Sequence, residues 1–390
     1  MSAKRNYGMG TIRQRPNGSW EMRVRINGKQ RSFSGKTKKE ALERARQAES
    51  DFMNGNYVEP SKQTVAQWLN TWLKLYCNNH APSTIVKYEQ QVRIHLVPSI
   101  GHIVLQKLKN EHVQQMCNEL AAADCAPKTI RDIHGTLHKA LDQAYELGYL
   151  KKNVSERCKL PVAVKTEVLA LSAMQLKSFI AESSTDWYSD LFYIAAFTGM
   201  REGELIGLTW RQVDFVNGEI RIDQQLVRGK GQSKYYLKLP KHEKIREITP
   251  AVDVMKRLQE VRHKQLQARM RCGPAWDNTQ ELYESKETRK AKHFSHDFVF
   301  TDGTGKHFCH KTVYAHCKRI AKRMGINDLT VHGLRHTFAT LNLQQGVDYK
   351  TLSAMLGHED VAFTMNQYGH VTEAMRNEAA NRMQSLICSM

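Results

Sequence analysis

Three short motifs in the second half of this 390-residue chain carry side chains that can grip and rearrange a phosphate. The first is Thr198-Gly199-Met200-Arg201-Glu202-Gly203-Glu204-Leu205. Gly199 reads as the end of one helix and Arg201 as the start of the next. There a guanidinium can hold an anion beside the free N–H groups of the helix. Glu204, one turn on, is expected to pair with a basic group and fix its geometry. The second motif is His332-Gly333-Leu334-Arg335-His336-Thr337. On a helix, His332 and Arg335 share a face. The imidazole can donate to a phosphate oxygen or shuttle a proton, and the guanidinium can bind in bidentate fashion. The third is Leu356-Gly357-His358-Glu359-Asp360, with Tyr368 following. Gly357 supplies a helix stop, His358 suits a phosphate oxygen, and Thr364, Met365 and Tyr368 are expected on one helical face. Each motif alone also fits an ordinary role: a surface arginine, a satisfied core histidine, a structural tyrosine.

The elements that must position these groups read as multidomain α+β. Residues 1–60 form a small basic module, with 13 Lys and Arg against 6 Asp and Glu. Gly10–Arg15, Ser19–Ile26 and Gln30–Ser34 read as three short strands joined at Pro16-Asn17-Gly18 and Asn27-Gly28-Lys29. Alternation puts Trp20, Met22, Val24 and Ile26 on one face and Glu21, Arg23 and Arg25 on the other. Thr37 then caps a helix running to Met53, packed through Ala41, Leu42, Ala45 and Ala48. A basic sheet backed by one helix can present strands to a nucleic-acid groove.

Residues 61–163 read as helical. The stripes are Val65, Trp68, Leu69, Trp72 and Leu75; then Tyr88, Val92 and Leu96 after Pro82-Ser83-Thr84; then Val113, Met116, Cys117 and Leu120 behind an Asn110 cap. A fourth helix begins at Pro127, carries Ile130, His134, Leu137, Leu141 and Ala144, and ends at Gly148. Lys74, Lys87, Arg93, Lys128, Arg131 and Lys139 are expected on its surface. The stretch Cys158 to Glu167 reads as a linker. Residues 164–390 then form a mostly helical domain with a small antiparallel sheet of Glu219–Gln225, Tyr235–Leu239 and Ile245–Thr249. A mobile loop is expected within residues 262–297.

The formal charge of +19 points to a polyanionic partner, nucleic acid before others, because Lys and Arg release its condensed counterions. No apolar run is long enough to span a membrane and the first residues lack a signal peptide, so a cytoplasmic protein is expected. The eight cysteines form no CxxC pair and are expected to be reduced. His307, Cys309, His310, His316 and Cys317 cluster in sequence, but their spacing matches no zinc motif; Cys317 and Ile320 read as the buried side of a helix. No GxxxxGK[ST] pattern is present, so ATP is not expected. No clustered carboxylates suited to a metal-dependent nuclease stand out.

Taken together, the order Arg201, His332-x-x-Arg335, Gly357-His358, Tyr368, with Leu208-Thr209-Trp210 after the first Arg, resembles the tyrosine recombinase family. Residues 1–60 and 61–163 look like the arm-binding and core-binding domains of phage and conjugative-transposon integrases. The family places a Lys on a β-hairpin between the first Arg and His-x-x-Arg. Pro240-Lys241-His242 occupies that place, with Lys238 and Lys244 as neighbours. His242 and Glu243 depart from the family's Thr and Ser.

The resemblance implies attack by Tyr368 on a DNA phosphodiester, giving a 3′-phosphotyrosine and a free 5′-hydroxyl. Arg201 and Arg335 would neutralise the phosphate, so that no metal or other cofactor is needed. His332 and His358 would add hydrogen bonds, His332 also helping to take the phenol proton. Lys241 would protonate the leaving oxygen. The implied function is integration and excision of a mobile element by a homotetramer on core and arm DNA sites, with an excisionase or DNA-bending protein as a further partner. The tail Thr372–Cys388, an expected amphipathic helix with Ala379, Met383 and Leu386, would pack on a neighbouring subunit or on its own domain. The alternatives are a type IB topoisomerase-like enzyme and a non-catalytic DNA-binding regulator on the same fold.

Overall fold

The computed structural model describes residues 10–55, 57–163, 169–228, 235–277, 297–368, 380 and 383–389. The chain divides into two compact units, Met1–Lys165 and Thr166–Met390.

In the first unit, strands β1 (Thr11–Gln14), β2 (Trp20–Ile26) and β3 (Lys29–Gly35) form an antiparallel sheet in that order. Asn27, at φ 49°, turns the β2–β3 hairpin, a conformation Asn adopts more readily than most residues. Helix α1 (Lys38–Met53) starts where Thr37 accepts the Glu40 N–H, and buries Ala41, Ala45 and Ala48 against Met22, Val24 and Ile26. The opposite face is not simply solvated. Glu21 is buried, and Arg13, Arg15 and Arg23 all close on its carboxylate. Hydrogen bonds from Arg15 and then Arg13 hold that carboxyl at about 2.

The helices of residues 61–163 enclose a second apolar core. Helix α2 (Val65–Leu75) has a capping box, with Thr64 accepting from Gln67 N and the Gln67 side chain returning to Thr64 N. It buries Val65, Trp68, Leu69 and Trp72, while Leu75, expected on the stripe, is exposed in the last turn. Helix α3 (Pro82–Gln91) runs through a π-turn at Val92–Leu96 into α4 (Val97–Ile100). Helix α5 (Asn110–Ala122) is flanked by Lys109 rather than capped by Asn110. The Asn110 amide instead reaches the Val154 and Glu156 carbonyls at 3.0 and 2.8 Å. Helix α6 (Pro127–Glu146) buries Ile130, Ile133, Leu137, Leu141 and Ala144, whereas half-buried His134 bonds the Ser155 carbonyl. Several expected surface cations have protein partners: Lys87 pairs with Asp132, Lys139 donates to the Tyr88 hydroxyl, and Arg131 to the Pro161 carbonyl.

The second unit is built on α8 (Ser189–Thr198), buried on nearly every side and packed by α7 (Ala173–Ser183). Helix α9 (Glu202–Ile206) follows at once. The expected single sheet is two. Strands β4 (Val213–Asp214), β5 (Glu219–Ile222) and β8 (Arg246–Ile248) form one, and β6 (Gln225–Arg228) with β7 (Tyr235–Lys238) the other. The strand expected over Glu219–Gln225 breaks because Asp223 turns to the Gln212 amide and Gln224 donates to the Gly207 carbonyl. Helix α10 (Val252–Cys272) carries the chain well into the segment expected to hold a loop; residues 278–296 lie outside the described residues. Helices α11 (His310–Arg323), α12 (Val331–Gln344), α13 (Tyr349–Leu356) and α14 (Val361–Tyr368) complete the unit, and α12 packs along α8. Of the expected C-terminal helix, residues 383–389 are helical and 369–379 lie outside the described residues. No helix among the described residues is long and apolar enough to cross a membrane.

Trp68 is 1% exposed and its Nε1 donates to the Ala140 carbonyl at 2.8 Å. Trp68→Ala both empties a cavity and removes that hydrogen bond, the Ala140 carbonyl keeping its place inside α6. It should cost ~3–5 kcal/mol of unfolding free energy in urea denaturation followed by circular dichroism. A loss below ~1 kcal/mol would show that the helices do not depend on this contact.

Candidate active site

The site is assembled at two helix ends. Gly199 closes α8 at φ 63° and Gly357 closes α13 at φ 66°, both in the left-handed region that favours glycine. Neither position has room for a side chain. A Cβ on Gly199 would lie 2.5 Å from the Phe338 ring, and one on Gly357 2.8 Å from an Arg246 nitrogen. The carbonyls left unpaired at these helix ends receive arginines. Arg335 donates to Gly199 O and Leu356 O, both at 2.7 Å. Arg201 donates to Gly357 O at 2.9 Å. Arg246 donates to Met355 O at 2.9 Å.

Glu204 ties these guanidiniums together. Its side chain is fully buried. It accepts two bonds from Arg246, at 3.0 and 2.7 Å, one from the Arg201 guanidinium at 2.8 Å, and one from the Arg201 N–H at 2.9 Å. Burial alone would raise this carboxyl, but the Arg246 hydrogen bonds and the charges of Arg246 and Arg201 bring it from 4.5 to about 2. The expectation that Glu204 fixes a basic group is met twice over. Arg246 was not singled out in the sequence; alternation with Ile248 along β8 is the signal that places it on the inward face.

Tyr368 ends α14 only 3% exposed, and burial pushes its phenol up to about 12. Its hydroxyl lies 2.8 Å from His336 Nδ1, not against His332. The His332 ring stands edge-on to His336, with centroids 4.6 Å apart. His332 faces the cleft on the first turn of α12, where Thr330 caps the helix by accepting the Gly333 N–H. Partial burial by the cleft walls, then Arg335 and Arg201, lowers its pKa. Burial, then His332 and Arg335, brings His336 to about 4; burial, then Arg335 and Arg201, brings His358 to about 3. His358 Nδ1 meets the Thr364 hydroxyl at 2.7 Å. Thr364 is buried with Tyr368, but Met365 is exposed and does not share their face. Arg335 is 2% exposed; burial and the Arg201 charge lower its pKa to about 9, leaving it cationic at neutral pH.

Arg201, Lys241, His332, Arg335, His358 and Tyr368 all line one cleft of about 640 Å³, with His336 beside them. The three hairpin lysines separate by place. Lys241 is exposed and on the cleft; Lys244 Nζ is engaged by the His358 and Glu359 carbonyls; Lys238 lies in β7, away from the lining. The His and Cys residues clustered after His307 disperse among other partners. His310 pairs with Glu202, His316 with Asp186, and Cys309 with the Tyr235 hydroxyl, while Cys317 and Ile320 are buried on α11.

A buried tyrosine hydroxyl thus lies among guanidiniums and imidazoles on a helical domain, a set of side chains suited to a phosphodiester. Residues 170–375 match the phage integrase family, and residues 64–121 match the phage integrase N-terminal SAM-like domain. The chain belongs to the phage integrase family and is a tyrosine site-specific recombinase. It is 28% identical over 378 residues to a tyrosine recombinase XerC-like protein of Caldanaerobacter subterraneus subsp. tengcongensis, covering 92% of this chain and 93% of that one. It is 23% identical to the ICEBs1 integrase of Bacillus subtilis, over 90% of this chain and 91% of that one. Among solved structures, the Tn1549 transposon integrase in complex with a circular intermediate DNA superposes with a TM-score of 0.68 at 21% identity, covering 82% of this chain and 99% of that one. A lambda integrase tetramer bound to a Holliday junction gives 0.60 at 16% identity, covering 95% and 98%.

Glu204→Gln leaves the buried Arg246 and the half-buried Arg201 guanidiniums without their counter-charge and should cost ~3–5 kcal/mol at pH 7. The wild-type carboxyl is depressed from 4.5 to about 2, so its contribution is complete above 4.5 and is lost as pH falls toward 2. The stability gap between wild type and variant, measured by urea denaturation across that range, should therefore narrow on acidification. A gap independent of pH would show that charge at Glu204 is not what holds the site.

Proposed function

We propose that this recombinase integrates and excises a mobile element by cutting and rejoining DNA through a 3′-phosphotyrosine at Tyr368. One observation carries the reading: Arg201 and Arg335, each pinned by helix-end carbonyls, line the same cleft as a buried tyrosine hydroxyl. Arg201, Arg246, Arg335 and Lys241 outnumber the carboxylates of Glu204, Glu359 and Asp360 around the cleft, leaving it positive and suited to a phosphodiester. Arg201 and Arg335 neutralise the non-bridging oxygens as the pentacoordinate state forms. His332 and His358 add hydrogen bonds to it. Lys241, exposed on the cleft, protonates the departing 5′-oxygen, because an unassisted alkoxide leaves poorly. Lys244, bound to two backbone carbonyls, positions the His358 loop instead.

The segments 1–60, 61–163 and 164–390 then serve as arm-binding, core-binding and catalytic domains. In the first, Arg13, Arg15 and Arg23 are ordered around Glu21 on the sheet face away from α1. Exchange of four strands between two duplexes calls for a homotetramer on DNA, the state in which lambda integrase is seen on a Holliday junction. The C-terminal helix, with Met383, Leu386 and Ile387 exposed, packs on a neighbouring subunit in that assembly. An excisionase or DNA-bending protein sets direction, and the reaction takes place in the cytoplasm.

Incubation with nicked suicide DNA in EDTA should trap a covalent adduct with wild type and none with Tyr368→Phe; no adduct on the true site would overturn the proposal. Joining of two different duplexes, rather than relaxation of one, separates it from topoisomerase chemistry. Arg201→Ala and Arg335→Ala should each lower the cleavage rate ~10²–10³-fold. Lys241→Ala should be impaired on ordinary DNA but restored by a sulfur at the 5′-bridging position, since a thiolate leaves without a proton. Restoration of Lys244→Ala instead would reassign the acid.

A further inference from the structure

We propose that His336 is the group that takes the Tyr368 proton as the phenol attacks DNA. The inference rests on Tyr368 being the nucleophile. It differs from the sequence expectation, which gave a share of this task to His332. His336 Nδ1 is 2.8 Å from the phenol oxygen, while His332 lies one turn earlier with its ring against His336. Both members of the Tyr368–His336 pair are buried, so water does not compete for the proton.

The charged and titratable groups around His336 favour an unprotonated ring at rest. From its own helix come His332 and Arg335, from α14 comes Tyr368, and from the loop before α14 comes His358. Burial first, then His332 and Arg335, hold His336 at about 4, so at neutral pH its ring is neutral and one nitrogen can accept. A resting pair with an acid near 12 and a base near 4 does not exchange its proton unaided. Two changes on substrate binding supply what is missing. The phosphate brings a negative charge beside Arg335 and His332, offsetting the cations that disfavour imidazolium. As the O–P bond forms, the phenolic oxygen also loses its basicity. The proton then passes from Oη to Nδ1 as the Tyr368 O–P bond forms and the P–O5′ bond breaks, and the 5′-oxygen takes a proton from Lys241. On rejoining, His336 returns its proton to the departing phenol.

The test is the pH dependence of adduct formation on nicked suicide DNA, with DNA binding followed separately by mobility shift. His336→Gln can still hold the phenol but cannot carry its proton. It and His336→Ala should cleave ~10²-fold or more slower than wild type at pH 7, with a rate that climbs with pH toward the phenol's own ionisation. Added imidazole should partly restore His336→Ala. His332→Ala should lose rate without acquiring that pH dependence. A Tyr368-dependent adduct formed by His336→Gln within about threefold of the wild-type rate, with an unchanged pH profile, would overturn the role of His336 while leaving Tyr368 as nucleophile. Nitrogen-15 histidine spectra of the wild-type protein need no substitution. The Nε2–H tautomer of His336 at pH 7 is expected, and the Nδ1–H tautomer, which would donate to the phenol instead, would equally overturn it.

Discussion

The catalytic unit depends on guanidinium groups bound to the carbonyl ends of two helices. The last turn of a helix leaves carbonyls without intrahelical partners, and the aligned peptide dipoles make that end negative. Here the ends of α8 and α13 point their carbonyls at Arg335, Arg201 and Arg246. Each arginine has five N–H donors in a rigid plane, so it can satisfy the backbone and keep other donors for a substrate. Glu204 joins two of these planes. Elements far apart in the chain, from Gly199 to Gly357, are thereby locked at hydrogen-bond precision before any DNA arrives.

The electrostatic state of the cleft follows from that arrangement. Burial first, then nearby guanidinium charge, lowers His332, His336 and His358 and keeps their rings neutral. Burial of Tyr368 outweighs the help of Arg335 and keeps the phenol protonated. The resting site therefore holds Tyr368 as the neutral phenol. On the mechanism we propose, a phosphodiester in the cleft adds the negative charge that eases protonation of an imidazole, so that substrate binding and activation of Tyr368 follow from the same charge balance.

The first unit uses a related device at a smaller scale. Glu21 lies beneath Arg13, Arg15 and Arg23, giving three flexible cations a fixed centre. A carboxylate in a basic surface lowers its net charge, yet on the proposed arm-binding role ordering the arginines reduces the entropy lost on a phosphate backbone. In both units a buried acid organises arginines, exposed or half-exposed ones around Glu21 and a half-buried and a buried one around Glu204.

Much of the fold was legible in the sequence, because local chemistry decides it. Thr37, Pro82, Pro127, Gly199 and Gly357 stop or start helices through their own caps and dihedral limits, and apolar spacing selects the buried faces. The order Arg201, His332, Arg335, His358 and Tyr368 was legible for a different reason, its resemblance to the tyrosine recombinase family, since each motif alone fits an ordinary role. The tertiary structure decided what depends on distant partners. It split the expected single sheet where Asp223 and Gln224 found Gln212 and Gly207, and set Lys241 on the cleft while tying Lys244 to the His358 loop. It brought Arg246 to Glu204, and placed His336 rather than His332 on the phenol. A helical repeat tells which residues share a face, but the atom that meets Tyr368 Oη is set by how α12 and α14 pack, and that is a property of the assembled core.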